Sequence, residues 1–267
     1  MAYSLTQIQK GVQHRAPRIL MLGVEKVGKS TFAAGAPNPI FLPIKGEEGI
    51  DALDVASFPT ASNFADVIGY LGVLLGEDHE YQSVVIDSTS ALEPLIWADV
   101  CRLANVGSIE KVGGGFAKGY VEALAQWRLL TDWLDALRAQ KNMASILIGH
   151  VKVKAFNDPT QDSYDTYMWD INDKASAMLI RWADSILFAN GKAAVKKEDL
   201  GFNKAKGRAI DTAAGERFLY TQKRPAHPGG GRGVYGHLPY ELPLTWQAFQ
   251  DAVAAQINPQ PATVAAE

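Results

Sequence analysis

Residues 23–31 read Gly-Val-Glu-Lys-Val-Gly-Lys-Ser-Thr, a complete GxxxxGK[ST] pattern. An apolar run, Arg18 to Gly23, precedes it and a helix-favouring run follows. That context constrains the fold, because a loop of this kind works only where a strand turns sharply into a helix. Glycines let the backbone curl into a nest whose N–H groups point at a phosphate chain, and the helix adds the positive end of its dipole. Gly23, Val24, Glu25, Lys26, Val27, Gly28, Lys29, Ser30 and Thr31 are therefore predicted to cradle the phosphates of a nucleoside triphosphate. Lys29 is the point charge for the β- and γ-phosphates and Ser30 offers a hydroxyl to Mg²⁺.

The rest of the chain supplies a sheet for that loop. Apolar runs at Ile40 to Ile44, Ser83 to Asp87, Ala144 to His150 and Ser185 to Ala189 read as strands. Helical patterns separate them: Ser62 to Leu75, about Ala91 to Leu103 with Pro94 in its first turn, about Tyr120 to Gln140, and a helix through Trp182. Strands alternating with helices predict an α/β fold with a mostly parallel sheet and right-handed crossovers. Pro43 lacks a ladder donor, which predicts an edge position or an early end to pairing for its strand. Lys111 to Gly119 is too glycine-rich for regular structure, and Val151 to Asp170 reads as the longest irregular segment. Antiparallel strands are expected from Gly191 to Thr221, with a lysine-rich turn between Lys196 and Arg208. A glycine-rich loop, Pro228 to Arg232, then leads to a last helix near Leu244. The predicted organisation is an N-terminal arm over 1–17, one domain over 18–257, and a disordered tail over 258–267.

Composition narrows the function classes. With 47% hydrophobic residues in 267, one large domain can bury a substantial core. A net charge of −3 excludes coating nucleic acid through bulk charge and leaves only a local basic groove. Cys101, the single cysteine, cannot form an internal disulfide and is expected as a buried thiol. No signal-type apolar core and no run of membrane-spanning length is present, so the expected compartment is cytosolic and no membrane partner is expected.

Asp87 ends its strand beside the phosphate loop, where a carboxylate can orient a Mg²⁺-bound water next to Ser30; the alternative is a cap for the following helix. Glu47 and Glu48 sit past the second strand at the same edge of the sheet. Either could align the water that attacks the γ-phosphate, or be a solvated turn residue. His150 ends a later strand, as a γ-phosphate contact or as an ordinary hydrogen-bonded histidine.

The order of strand, GVEKVGKST, strand, EEGID, strand ending VVIDS, glycine loop GGGFAKGY, long helix and strand ILIGH resembles the RecA-like ATPase core. More closely, it is similar to compact phage-encoded RecA-like single-strand annealing proteins, over roughly Arg18 to Trp246. The resemblance implies a RecA-like P-loop core with a C-terminal antiparallel extension. It makes Glu47 the water-activating residue with Glu48 in reserve, and His150 the sensor at the base of a mobile DNA-binding loop. Gly113 to Lys118 and Val151 to Asp170 would face single-stranded DNA, with Lys118, Lys152 and Lys154 on phosphates and Phe116, Tyr164, Tyr167 or Trp169 on bases. Arg232, in Gly230-Gly-Arg-Gly-Val-Tyr-Gly-His-Leu-Pro239, would be an arginine finger acting on a neighbouring subunit's site, although glycines stand where these relatives carry lysine and asparagine. The implied function is ATP-dependent binding of single-stranded DNA by a homo-oligomer that promotes annealing or recombination. It would hydrolyse ATP under DNA stimulation in the cytoplasm of a phage's bacterial host, beside a single-strand-binding protein. Two other readings remain: a small-molecule kinase, for which Arg102, Arg128, Arg138 and Arg181 form no lid-like cluster, and a nucleotide-dependent adaptor that does not bind DNA.

Overall fold

The computed structural model describes residues 4, 8, 10, 11, 13, 15–47, 49–157, 162–191, 193–199, 205–211 and 216–258, with backbone alone for 193–199 and 205–211. In chain order, β1 (Arg18–Gly23) is followed by α1 (Lys29–Ala34), β2 (Pro39–Pro43), the short β3 (Ala56–Ser57), α2 (Phe64–Gly76) and β4 (Ser83–Asp87). Next come α3 (Thr89–Leu103), a 3-10 segment at Ile109–Gly114, α4 (Lys118–Lys141), β5 (Ala144–Phe156), β6 (Tyr164–Trp169) and α5 (Asp173–Trp182). The chain continues through β7 (Ser185–Gly191), β8 (Ala193–Asp199), β9 (Ala205–Asp211), β10 (Arg217–Tyr220) and β11 (Gly230–Gly231). It closes with a 3-10 segment at Gly233–His237, β12 (Glu241–Pro243) and α6 (Trp246–Ile257).

The main sheet runs β12-β10-β7-β1-β5-β4-β2-β3. β1 pairs in parallel with β5 and β7, and β4 in parallel with β2 and β5, whereas β10, β11 and β12 add antiparallel pairs. This is the expected α/β class with its antiparallel C-terminal extension. Because side chains alternate along a strand, Leu20 and Leu22 of β1 face a core built with α2, α3, α4 and α5, while Ile19 and Met21 face Phe32 of α1 and Phe249 of α6. Residues covered on both sides explain why the parallel strands read as continuous apolar runs. Pro43 is the last residue of β2, but β2 lies between β4 and β3 and pairing resumes at Ile44 opposite Ala61, so neither the expected edge position nor the expected early end is found.

Several expectations are corrected. The helix expected from Ala91 starts at Thr89, which puts Pro94 in the second turn. Its cap is Ser88, whose Oγ accepts the Ala91 N–H at 3.2 Å, so Asp87 is not the cap. Part of the glycine-rich stretch from Lys111 belongs to a 3-10 segment, and α4 begins at Lys118. The segment expected to be irregular is instead an antiparallel hairpin. β5 runs past His150 to Phe156 and pairs with β6, from Val151 opposite Trp169 to Phe156 opposite Tyr164. The alternation Val151-Lys-Val-Lys carried that signal, since period-two patterning marks a strand with two different faces. Lys196 is paired in backbone register with Arg208 across β8 and β9, and residues 200–204 of the expected lysine-rich turn lie outside the described residues. Gly230 and Gly231 pair with β7. Cys101 is half-buried at the edge of the core. The predicted tail beyond Asn258 and most of the predicted arm lie outside the described residues. No helix among those described is long and apolar enough to cross a membrane.

Candidate nucleotide site

Four elements bring the predicted polar residues to one edge of the sheet, where β1, β2 and β4 end and β5 passes from the parallel sheet into the hairpin after His150. The turn after β1 needs glycine twice. Gly23 packs so tightly on β7 that a Cβ would overlap the Ala189 carbonyl, and Gly28 holds φ at +110° as the cap residue of α1. Lys29 opens α1 and folds back over the loop, donating from Nζ to the carbonyls of Gly23 at 3.0 Å and Val24 at 2.8 Å. Its side chain is only 5% exposed, so burial lowers its pKa, while Asp87, Glu47 and Glu25 oppose that shift.

Ser30 Oγ donates to Asp87 Oδ2 at 2.6 Å, which joins the loop to the end of β4. Burial raises the Asp87 pKa, and the Ser30 hydrogen bond works against it. Glu47 stands beyond β2, where Ser88 Oγ donates to its Oε1 at 2.6 Å and His150 Nε2 meets the same oxygen at 2.8 Å. A carboxylate that only accepts places the imidazole proton on Nε2. The His150 bond is the main reason the Glu47 pKa is lowered, against the opposing effect of burial. His150 Nδ1 is buried without a partner. The open space is a cavity of about 710 Å³ whose lining includes Lys29, Ser30, Glu47, Asp87, His150 and Arg217.

This donor set fits a nucleoside triphosphate with Mg²⁺. A buried ammonium held only by neutral carbonyls is a cation awaiting an anion, and one hydroxyl with one carboxylate is the sparse oxygen set that Mg²⁺ accepts when phosphates and waters complete its shell. No cluster of three or more acidic, histidine or cysteine ligands occurs among the described residues, as a fully protein-bound metal would need.

The other predicted residues lie elsewhere. Glu48, the reserve to Glu47, falls outside the described residues. Arg232 sits at the opposite end of the sheet, where its Nη2 donates to the Arg181 carbonyl and its Nε lies 3.8 Å from Asp184 Oδ1; it does not reach its own chain's phosphate loop. Lys118 Nζ donates to the Gly113 carbonyl at 3.2 Å, Lys152 pairs with Asp170 at 2.9 Å and Lys154 with Asp173 at 3.2 Å. Tyr164 leans on Phe156 with ring centroids 5.6 Å apart, and Tyr167 packs on Phe188 at 5.2 Å. Phe116, at a positive φ of 55°, is 96% exposed. Sequence reading missed Ser88, which links Glu47 to α3, and Arg217, which contacts the loop from 190 residues away. Nothing local marks either residue, because both act through pairs that exist only after folding.

A phosphate loop between a parallel strand and a helix, with the acidic end of another strand beside it, defines an α/β P-loop protein of the ATPase class. The chain belongs to the AAA-domain family: a profile described as an AAA domain matches residues 15–233. Among solved structures it is similar to the crystal structure of the RadB recombinase, with 16% identity over 88% of this chain and 90% of that one, at a TM-score of 0.45. No curated protein matches the sequence.

Proposed function

We propose that this protein is an ATPase that couples hydrolysis to binding single-stranded DNA and promotes annealing or recombination as a homo-oligomer, in the cytoplasm of a phage-infected bacterium. The observation that carries it is the shared Glu47 Oε1, held by Ser88 and His150 at the mouth of the loop cavity, with β5 continuing from His150 into the hairpin. Glu47 takes both bonds on one oxygen, so Oε2 remains to accept a proton from water attacking the γ-phosphate. Gly23 to Thr31 hold the phosphates, with Lys29 exchanging two carbonyls for phosphate oxygens. Ser30 and Asp87 hold Mg²⁺, which supplies charge neutralisation to the phosphate chain. A change at the γ-phosphate that displaces the His150 ring from Glu47 is felt at the start of the hairpin, since the backbone carbonyl of the same residue accepts the Asp170 N–H at 2.9 Å.

In this reading Lys118, Lys152 and Lys154 meet DNA phosphates, and Tyr164, Tyr167 and the exposed Phe116 supply stacking surface. The lysine–aspartate pairs of the hairpin are solvent-exposed, so each contributes little and a phosphate can replace the carboxylate. Arg232, whose side chain is 53% exposed, would act on a neighbouring subunit's nucleotide, and a single-strand-binding protein would be a companion. The same ion pairs favour a second reading, a nucleotide-dependent adaptor that does not bind DNA. ATP turnover measured with and without a single-stranded oligonucleotide separates them: stimulation is expected, ATP binding without turnover favours the adaptor, and absence of ATP binding sinks both.

A further inference from the structure

Arg217 has no part in the reading above, although it is built into the same cavity. It opens β10, in the antiparallel extension, and its Nη1 donates to the Val27 carbonyl at 3.1 Å. A Cβ at Gly28 would lie 3.2 Å from that nitrogen, so the guanidinium rests directly on the phosphate loop. The sheet order makes its position informative. Glu47, Asp87 and His150 come from β2, β4 and β5, on one side of β1, whereas β10 reaches the loop from the other side, beyond β7. The first group carries the candidate metal and water-activating residues, which belong at the terminal phosphate. The flank that Arg217 serves is then the nucleoside end of the phosphate chain.

Its present partner is also informative. The Val27 carbonyl is neutral, and no carboxylate among the described residues lies within ion-pair distance of Arg217. Lys29 shows the same arrangement from the other side, a cation resting on loop carbonyls. A phosphate oxygen adds the Coulomb attraction of a full negative charge, and for arginine a bidentate fit, that a neutral carbonyl lacks, so an arriving anion is the better partner for both.

We propose that Arg217 is a substrate-binding residue acting in cis, its guanidinium taking the nucleoside-proximal phosphates that ATP and ADP share. This rests on the nucleotide reading of the loop. A purely structural role, tying β10 to the loop through Val27, needs an N–H donor but no charge. Arg217→Gln keeps a donor and removes the charge; Arg217→Lys keeps the charge and removes the planar fork.

Affinities of ATP and ADP are measured by calorimetry on the full chain at two salt concentrations, with melting curves to establish folding. Arg217→Gln is expected to weaken both nucleotides alike, by about tenfold to a hundredfold, with a smaller loss at high salt. Arg217→Lys should recover part of the loss. Unchanged affinity in Arg217→Gln overturns the proposal, as does a loss confined to ATP, which would assign Arg217 to the γ-phosphate. If the glutamine variant does not fold, wild-type affinity in Arg217→Lys overturns it, since the fork would then do nothing. Wild-type protein that fails to bind ATP, or Lys29→Ala with undiminished affinity, brings down the nucleotide reading itself; wild-type binding beside an unaffected Arg217→Gln removes only this inference.

Discussion

The two ends of the central strands both carry charge, but they resolve it in opposite ways. At the amino end, Asp184 accepts from Arg18 Nη2 at 2.9 Å, pairs with Arg138 Nη2 at 3.0 Å, and also receives the Arg18 backbone N–H at 3.1 Å. Asp135 accepts from Arg18 Nη1 at 3.2 Å and from Trp182 Nε1 at 3.1 Å. Cations and anions there satisfy one another, and the result is a clasp joining β1, α4 and β7. At the carboxyl end, Lys29 and Arg217 rest on backbone carbonyls while Glu47 and Asp87 hold hydroxyls and an imidazole. None of those carboxylates is spent on a cation of its own ion pair except through His150. An edge whose charges cancel holds the fold together, and an edge whose charges are kept apart is equipped to take an anionic ligand.

Breaking the amino-end clasp should produce the largest effect. Asp184→Ala leaves Arg18 and Arg138 without their shared carboxylate, and loss of one partner of a buried ion pair costs about 3–5 kcal/mol. Chemical denaturation should show that loss while the folded fraction binds ATP as wild type does; impaired binding with intact stability would reverse the roles of the two edges. Arg232 tests whether the edges meet between subunits. If it serves a neighbour's nucleotide, Arg232→Ala lowers turnover by about 10³ while sparing nucleotide binding, and mixing with Lys29→Ala partly restores it. Wild-type turnover and no rescue would leave Arg232 as a member of the clasp alone.

Glu47→Gln sharpens the carboxyl end. Turnover should fall by about two orders of magnitude with ATP binding retained. An unimpaired variant would dismiss Glu47 as the base. The smallest effect concerns Glu93 on α3, where burial pushes the carboxyl up from 4.5 to about 7 although both oxygens accept the Asn172 N–H. Between those values the folded chain holds more protons than the unfolded one, so stability should fall as pH rises from about 4.5 to about 7. Glu93→Gln should flatten that slope, by on the order of 1–3 kcal/mol across the window, in thermal melts at stepped pH. An unchanged slope would place the proton elsewhere.

The parallel core was legible because burial on both faces writes itself into composition. Ser83 to Asp87 coincides with β4, and the apolar run after Pro17 with β1. The hairpin was misjudged because its residues are largely polar and its strand is the solvent-exposed continuation of a buried one, so the apolar signal stops at His150 while the pairing does not. For the site, spacing marked Lys29, Ser30 and Asp87, since a loop's geometry is local and the strand's end is visible where its apolar run stops. Ser88, which shares Oε1 of Glu47 with His150, carried no such mark.

Sequence alone determined the phosphate loop, the α/β class and the acids at the carboxyl edge, because each follows from contacts within a few residues or from the periodicity of burial. Tertiary structure decided which charges meet. It brought Arg217 onto Val27, carried Arg232 to the far end of the sheet, and joined Glu47 to His150 across 103 residues. Such pairs depend on strand order and register. Those are set by how whole elements pack, and no short stretch of chain encodes them.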